Sequence, residues 1–227
     1  MAYDKKISLD PRLSLIADLV GICPVCADIG SDHGRLGAYL LQNAHCDRVV
    51  LTDISAPSLE KARRLIAMLG LADRADFCVG SGAQALHERV NVAVIAGMGG
   101  ETIAGILENA GDRLCGARLI LQPNVASAQL RRALCRCGWR ICDERLVRDG
   151  RRIYPFIVAV EGKQALNDAE AMIGPVLMRM HTPELADYRA FKMRVLTKAL
   201  AGARSGSDAQ TAAQLECELR MWKELMP

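Results

Sequence analysis

The chain lacks any apolar run approaching the roughly 18 residues needed to span a bilayer. Its opening, Met1 to Ser14, has neither the apolar centre nor the small-residue cleavage site of a secretory signal, so a cytoplasmic protein is expected. Zinc-finger spacing is absent too. Cys23-Pro-Val-Cys26 has no second pair at finger distance, and Cys135-Arg-Cys137 is too tight for the usual chelate, so no metal is expected. Nine cysteines remain. Their odd number and the missing export signal argue against a disulfide framework and for reduced cysteines filling core positions, with a redox role as the lesser alternative. No internal repeat or low-complexity tract stands out. A large charge of one sign is lacking as well: the net is +3, which does not by itself announce a nucleic-acid binder.

What is present suits an enzyme. The 227 residues, 51% hydrophobic and 24% charged, allow one large α/β domain with a small appendage. Charge is unevenly spread. Arg131 to Arg152 holds eight arginines against three acids. Planar guanidinium forks suit phosphate, and a solvated face is the competing reading.

Asp10-Pro11 reads as a helix start, with Leu13, Ile16, Leu19 and Val20 following at helical spacing. Strands are expected at "VCADIG", "RVVLTDIS", "ADFCVGSG", "VNVAVIAGMGG" and "ARLILQPN", the fourth of them mid-sheet because it is apolar on both faces. Helices are expected between them at "RLGAYLLQNA", "APSLEKARRLIAMLG" and "ETIAGILENA", and after them at "SAQLRRALCRCGW". A hairpin turning at Asp149-Gly150 follows. This order predicts a doubly wound, Rossmann-like α/β sheet whose antiparallel closing hairpin is of the class I methyltransferase kind. The expected division is 1–162 for that domain and 163–227 for a helical hairpin. In the hairpin, Tyr188, Phe191, Val195 and Ala199 would face Leu215, Leu219, Trp222 and Met226, across a loop at "AGARSGSD". Arg189, Lys192, Arg194 and Lys198 would lie outside. Dimerisation is left open, with a monomer favoured.

The chemistry concentrates at Asp28-Ile29-Gly30-Ser31-Asp32-His33-Gly34, between the first strand and its helix. A dinucleotide would put its pyrophosphate at that helix N-terminus, facing Asp28 and Asp32, and the second glycine of G-x-G-x-x-G is replaced by Asp32. S-adenosylmethionine reverses the sign, since it carries an ammonium and a sulfonium and no phosphate. Asp53 ends the second strand 25 residues after Asp28, where a ribose-binding acid belongs. Gly80-Ser81-Gly82 follows the third strand, where the adenine ring would lie. Asp28, Gly30, Asp53, Ile54, Gly80, Ser81, Gly82, Ala96, Gly97 and Met98 are the expected cofactor-binding residues. The Asn/Asp-Pro-Pro-aromatic loop of many amino methyltransferases is absent after the fourth strand.

Four stretches carry a family resemblance: Ser8 to Leu13 with Arg12, "ADIGSDHG", "IAGMGGETI" from Ile95 to Ile103, and "LILQPN" from Leu119 to Asn124. Together with Gly138-Trp139 and the tail "IGPVLM" to "FKMRVL", the chain resembles the TrmK family, which methylates N1 of adenine 22 in tRNA. The resemblance implies S-adenosylmethionine as cofactor and tRNA as partner. It points, as the chemistry does, to Asp32 as the catalytic carboxylate, with His33 orienting it or stacking on the base. Helix capping is the other reading of Asp32. Arg12, Arg35, Gln122, Pro123 and Asn124 are the expected substrate-binding residues, with a turn role as the alternative for Asn124. Two departures stand out. Ser81 replaces the family's usual aspartate between the glycines, and "SDHGRLG" replaces "SDHAYLP", which brings in Arg35 to contact RNA or pair with Asp32. A small-molecule methyltransferase and a non-enzymatic tRNA-binding protein are the rival readings. A dehydrogenase is disfavoured by the charge.

Overall fold

The computed structural model describes residues 6–180, 182–206 and 208–224. Asp10 accepts from Leu13 N at 2.9 Å and Pro11 takes the first turn, so α1 (Pro11–Val20) starts where the cap signal lies. There follow β1 (Cys23–Ile29), α2 (Arg35–Gln42), β2 (Cys46–Asp53), α3 (Ala56–Met68), β3 (Ala75–Val79), β4 (Val92–Met98), α4 (Gly100–Glu108), β5 (Arg118–Pro123), α5 (Ser127–Arg136), β6 (Trp139–Asp149) and β7 (Arg152–Glu161). The seven strands lie in the order β3-β2-β1-β4-β5-β7-β6. The first five are parallel, and β7 runs antiparallel between β5 and β6.

Period-two alternation sorts the core. Ala27, Ile29, Ala93, Ile95, Leu119 and Leu121 meet α4 and α5 on one face. Cys26, Val49, Leu51, Val94 and Ile120 meet α1, α2 and α3 on the other. The strand-borne thiols Cys23, Cys26 and Cys46 are buried on this second face and Cys78 on the first, all as small core side chains, and all nine cysteines are free. The expected hairpin turns through Gly150 and Arg151, between the paired Asp149 and Arg152, with Gly150 at φ 59°.

The tail departs from expectation in three ways. A short helix, α6 (Asp168–Ile173), precedes the hairpin. Its capping box was present in the sequence: Asn167 accepts from Glu170 N, and the Glu170 carboxylate accepts from Asn167 N. Next, α7 (Pro183–Ser205) runs through most of the expected loop before α8 (Ala209–Glu224). Finally, the buried stripe of α7 is Leu185, Tyr188, Leu196 and Leu200. Tyr188 is buried as expected and Phe191 packs against the same cluster, but Val195 is 47% exposed and Ala199 faces solvent, so the second half of the expected stripe is displaced by one residue, to Leu196 and Leu200. Lys192 falls on the buried register rather than outside, and desolvation lowers its pKa. Trp222 is fully buried edge-on to Tyr188, with Leu215 and Leu219 against the same cluster, whereas Met226 lies outside the described residues.

The arginine-rich window is largely consumed by internal pairs. Arg131 and Glu144 are both 0% exposed, with Nε donating to Oε1 at 2.8 Å. Arg131 also donates to the Ala171 and Met172 carbonyls, while Glu144 Oε2 accepts from Val176 N and Leu177 N. A Cβ on Gly174 would lie 2.4 Å from that carboxylate, so glycine is needed there. This pair fastens the start of the tail to α5 and β6. Arg132, Arg136, Arg145 and Arg148 pair with Asp168, Glu108, Asp143 and Asp187. Among the described residues, only Arg140, Arg151 and Arg152 of the eight have no acidic partner.

Candidate active site

The carboxyl ends of β1 to β4 open onto a cleft of about 560 Å³. A recess of about 180 Å³ adjoins it, and Gly30, Asp32, Ala96 and Gly97 line both spaces. The turn between them is held by backbone bonds from Gly30 N and Ser31 N to Thr52 O, at 2.7 and 3.0 Å. Gly30 has φ 77°, and a Cβ on it would lie 2.0 Å from the Met98 methyl.

Asp28 ends 7% exposed in the recess. Burial first, and the Asp53 charge second, raise its pKa to about 7. It has no cationic or hydrogen-bonding side-chain partner among the described residues. Asp53 is fixed: Oδ1 accepts from Ser55 N at 2.8 Å and Oδ2 from Asp32 N at 3.1 Å. Across the cleft stand the glycine loop after β3 and the end of β4. Gly80 N donates to Asp53 O, Gly82 (φ 54°) backs onto Ile106, and Ser81 faces solvent without capping the following turn. Ile54, 77% exposed, flanks the same cleft with Met98. Thr102 and Ile106, on α4, complete the lining. Neither was named as a site residue from sequence: Thr102 lies inside the stretch Ile95 to Ile103, of which only Ala96, Gly97 and Met98 were assigned to the cofactor, and Ile106 lies beyond it on α4.

Asp32 adopts φ 48° and exposes most of its side chain. Its Oδ2 lies 2.8 Å from His33 Nδ1. The N-cap of α2 is Gly34, with no side-chain cap, so the capping alternative for Asp32 does not describe this turn. Arg35 donates to Ser8 O at 2.6 Å and makes no pair with Asp32. Arg12 lines the recess with its guanidinium 5.0 Å over the Tyr154 ring, between Asp10 at 3.7 Å and Asp149 at 3.4 Å. Gln122, 1% exposed, accepts from Gly97 N at 3.1 Å and donates to Asn124 Oδ1 at 3.0 Å. Asn124 in turn donates to Gly97 O at 2.7 Å, and its backbone N–H donates to Met98 O. Pro123 is buried at the end of β5. These three residues brace the loop after β4, and Gln122 also borders the recess.

Among the described residues no helix is long and apolar enough to cross a membrane, and no group of three or more His, Cys, Asp or Glu could hold a metal ion. Five parallel strands closed by antiparallel β7, with acids ending β1 and β2 and a glycine loop after β3, define a Rossmann-like class I methyltransferase.

Comparison with known proteins narrows the class. A family model described as TrmK, tRNA (adenine(22)-N(1))-methyltransferase, matches residues 26–224. The tRNA (adenine(22)-N(1))-methyltransferase of Bacillus subtilis (strain 168) is 31% identical over 182 residues, covering 77% of this chain and 76% of that protein. A protein of the NADB-Rossmann superfamily from Streptococcus agalactiae superposes with a TM-score of 0.91 at 28% identity, over 99% of this chain and 100% of the other. Streptococcus pneumoniae Sp1610, in complex with S-adenosyl-L-methionine, gives 0.87 at 26% identity, over 97% and 100%. The chain belongs to the TrmK family of tRNA (adenine(22)-N(1))-methyltransferases.

Proposed function

We propose that this chain methylates N1 of adenine 22 in tRNA from S-adenosylmethionine, with Asp32 as the carboxylate that meets the adenine. The observation carrying this reading is Asp28: a buried carboxylate without a cationic partner among the described residues, beside a glycine turn and within the field of Asp53. Such a pocket suits a cationic ligand and repels pyrophosphate.

Bound there, S-adenosylmethionine supplies an electrophilic methyl group on a sulfonium centre. Asp28 would hold its ammonium, and Asp53 would accept from its ribose hydroxyls. Ser81, Gly82, Ile54 and Met98 would flank its adenine. Arg12 shares the recess with Asp28, which favours contact with the amino-acid carboxylate over contact with RNA. Gln122 and Asn124 would position substrate indirectly, by fixing the Gly97–Met98 loop. Arg35, exposed at the lip, would meet an RNA phosphate.

N1 of adenine has a free lone pair, so attack needs no strong base, but the product is a cation. A carboxylate at the junction of the two spaces can accept from the N6 amino group and stabilise that charge. Asp32 has this position and is exposed enough to reach an incoming base. In folded tRNA the base must first leave its pairing or stacking contacts. The same proposal makes the chain a cytoplasmic monomer that needs no metal, with its methyltransferase unit in 1–162 and its helical unit in 163–227.

The test is transfer of labelled methyl to transcribed tRNA, mapped by mass spectrometry, with an adenine-22 substituted tRNA as control. Asp32→Ala should lower turnover by about 100-fold or more while cofactor affinity stays within about threefold. Full turnover by that variant removes Asp32 from the reaction. Label in small metabolites and none in tRNA would overturn the substrate.

A further inference from the structure

Lys61 of α3 lines neither space but touches His33, which lines the recess, and the roles above leave it unused. Its ammonium lies 3.1 Å from His33 Nε2, and His33 Nδ1 lies 2.8 Å from Asp32 Oδ2. A lysine ammonium has three donors and no acceptor. His33 Nε2 must therefore accept, which puts the ring proton on Nδ1, where it donates to Asp32. We propose that Lys61 is a positioning residue for methyl transfer: it holds His33 in the neutral Nδ1–H tautomer and, through that ring, aims the Asp32 carboxylate. The role of Asp32 is taken from the function proposed above.

The backbone makes this alignment more than a chance meeting of surface side chains. A Cβ on Gly34 would lie 2.5 Å from Ala62 Cβ, so the turn and α3 are in direct contact. His33 and Lys61, each one residue earlier, are thereby brought side by side. Ser55 caps α3 through Ser58 N and sets where that helix starts. The Asp32 backbone N–H is independently held by Asp53 Oδ2. The peptide is thus pinned from the β2 side, and the carboxylate is steered by His33 and Lys61 from the other. A neutral donor ring beside Asp32 leaves one carboxylate oxygen free for the adenine amino group. In the opposite tautomer, Nδ1 would present a lone pair to the carboxylate, and the two groups would repel.

The tautomer can be read by nitrogen-15 chemical shifts of histidine-labelled protein, with a His33→Asn variant to assign the ring. Wild type should show protonated Nδ1 and unprotonated Nε2. Lys61→Met should shift the ring toward the Nε2–H form. Its kcat for tRNA should fall about tenfold with KM for tRNA and cofactor changed by less than about twofold, the signature of a group acting on the transfer step. Lys61→Arg, another donor-only cation, should restore both tautomer and kcat to within about threefold of wild type. An unchanged tautomer in Lys61→Met overturns the proposal. So does a raised KM for tRNA at constant kcat, which would make Lys61 a phosphate contact. The shifts are recorded without tRNA, so they test the Lys61 contact separately from the substrate. A wild-type chain with the expected tautomer but no methyl transfer to tRNA would overturn the functional reading, and the positioning role with it.

Discussion

Asp28 pits stability against function at a single carboxyl group. Its folded pKa, raised to about 7, exceeds the ordinary aspartate value of 3.8. The folded state therefore binds the proton more tightly than the unfolded state, and stability falls as pH rises from about 4 to 7. Above pH 7 the burden levels off at about 4 kcal/mol, from about 1.36 kcal/mol per pKa unit. Asp28→Asn should melt higher than wild type at pH 8, by an amount equivalent to about 1–3 kcal/mol after the cost of burying the amide, and should lose that advantage near pH 4. The same variant should bind S-adenosylmethionine poorly. Melting curves over this pH range are the check, and a wild-type minus variant difference that does not vary with pH would refute the burial argument. The spacing of strand, turn and acid made Asp28 and Asp53 legible in the sequence, because both positions follow from local order along the chain. Lys61 and Ile106 were not legible, since their approach to the site depends on how α3 and α4 pack on the sheet.

At the scale of elements, the loop after β3 and the fastening of the tail each carry a prediction. Ser81 faces solvent at the cleft edge and makes no cap, so this loop offers the cofactor's adenine no carboxylate. Ser81→Asp should tighten S-adenosylmethionine binding by about tenfold, the worth of one charge-assisted hydrogen bond of roughly 1.4 kcal/mol. Calorimetric affinity equal to or weaker than wild type would show that the adenine amino group does not point there. The Arg131–Glu144 pair behaves differently, because both partners are fully buried. Glu144→Leu strands a buried guanidinium and leaves Val176 N and Leu177 N without their acceptor. It should cost about 3–5 kcal/mol, read in urea unfolding, whereas Arg145→Ala, at an exposed pair, should cost about 1 kcal/mol or less. Charge counting could not find this pair, because composition records sign but not burial. The displaced stripe on α7 has a related cause. Lys192 occupies an inward position that a hydrophobic pattern skips, which drew the expected stripe onto its neighbours.

On the scale of the whole molecule, the question is which cations remain to hold RNA. The net charge of +3 is small, and five of the eight arginines in the basic window are paired internally. Among the described residues, Arg151 and Arg152 have no acidic partner at the β6–β7 tip. That tip stands beside the active site, because Asp149, which precedes it, contacts Arg12 in the recess. An RNA whose adenine enters the cleft would therefore run its backbone past Arg151 and Arg152, while Arg132 and Arg136 are occupied with Asp168 and Glu108 on α6 and α4. Removing one phosphate-binding cation should flatten the dependence of log affinity on log salt by about one unit. Arg151→Ala with Arg152→Ala should thus weaken tRNA binding and reduce the slope by about two, leaving cofactor affinity unchanged. Arg132→Ala with Arg136→Ala should leave the slope within about half a unit of wild type. Fluorescence anisotropy at several salt concentrations separates the cases. If both double variants flatten the slope equally, RNA binding follows arginine density and the internal pairs open when the complex forms. If only the hairpin-tip pair does so, the free guanidinium groups beside the cleft set the docking face.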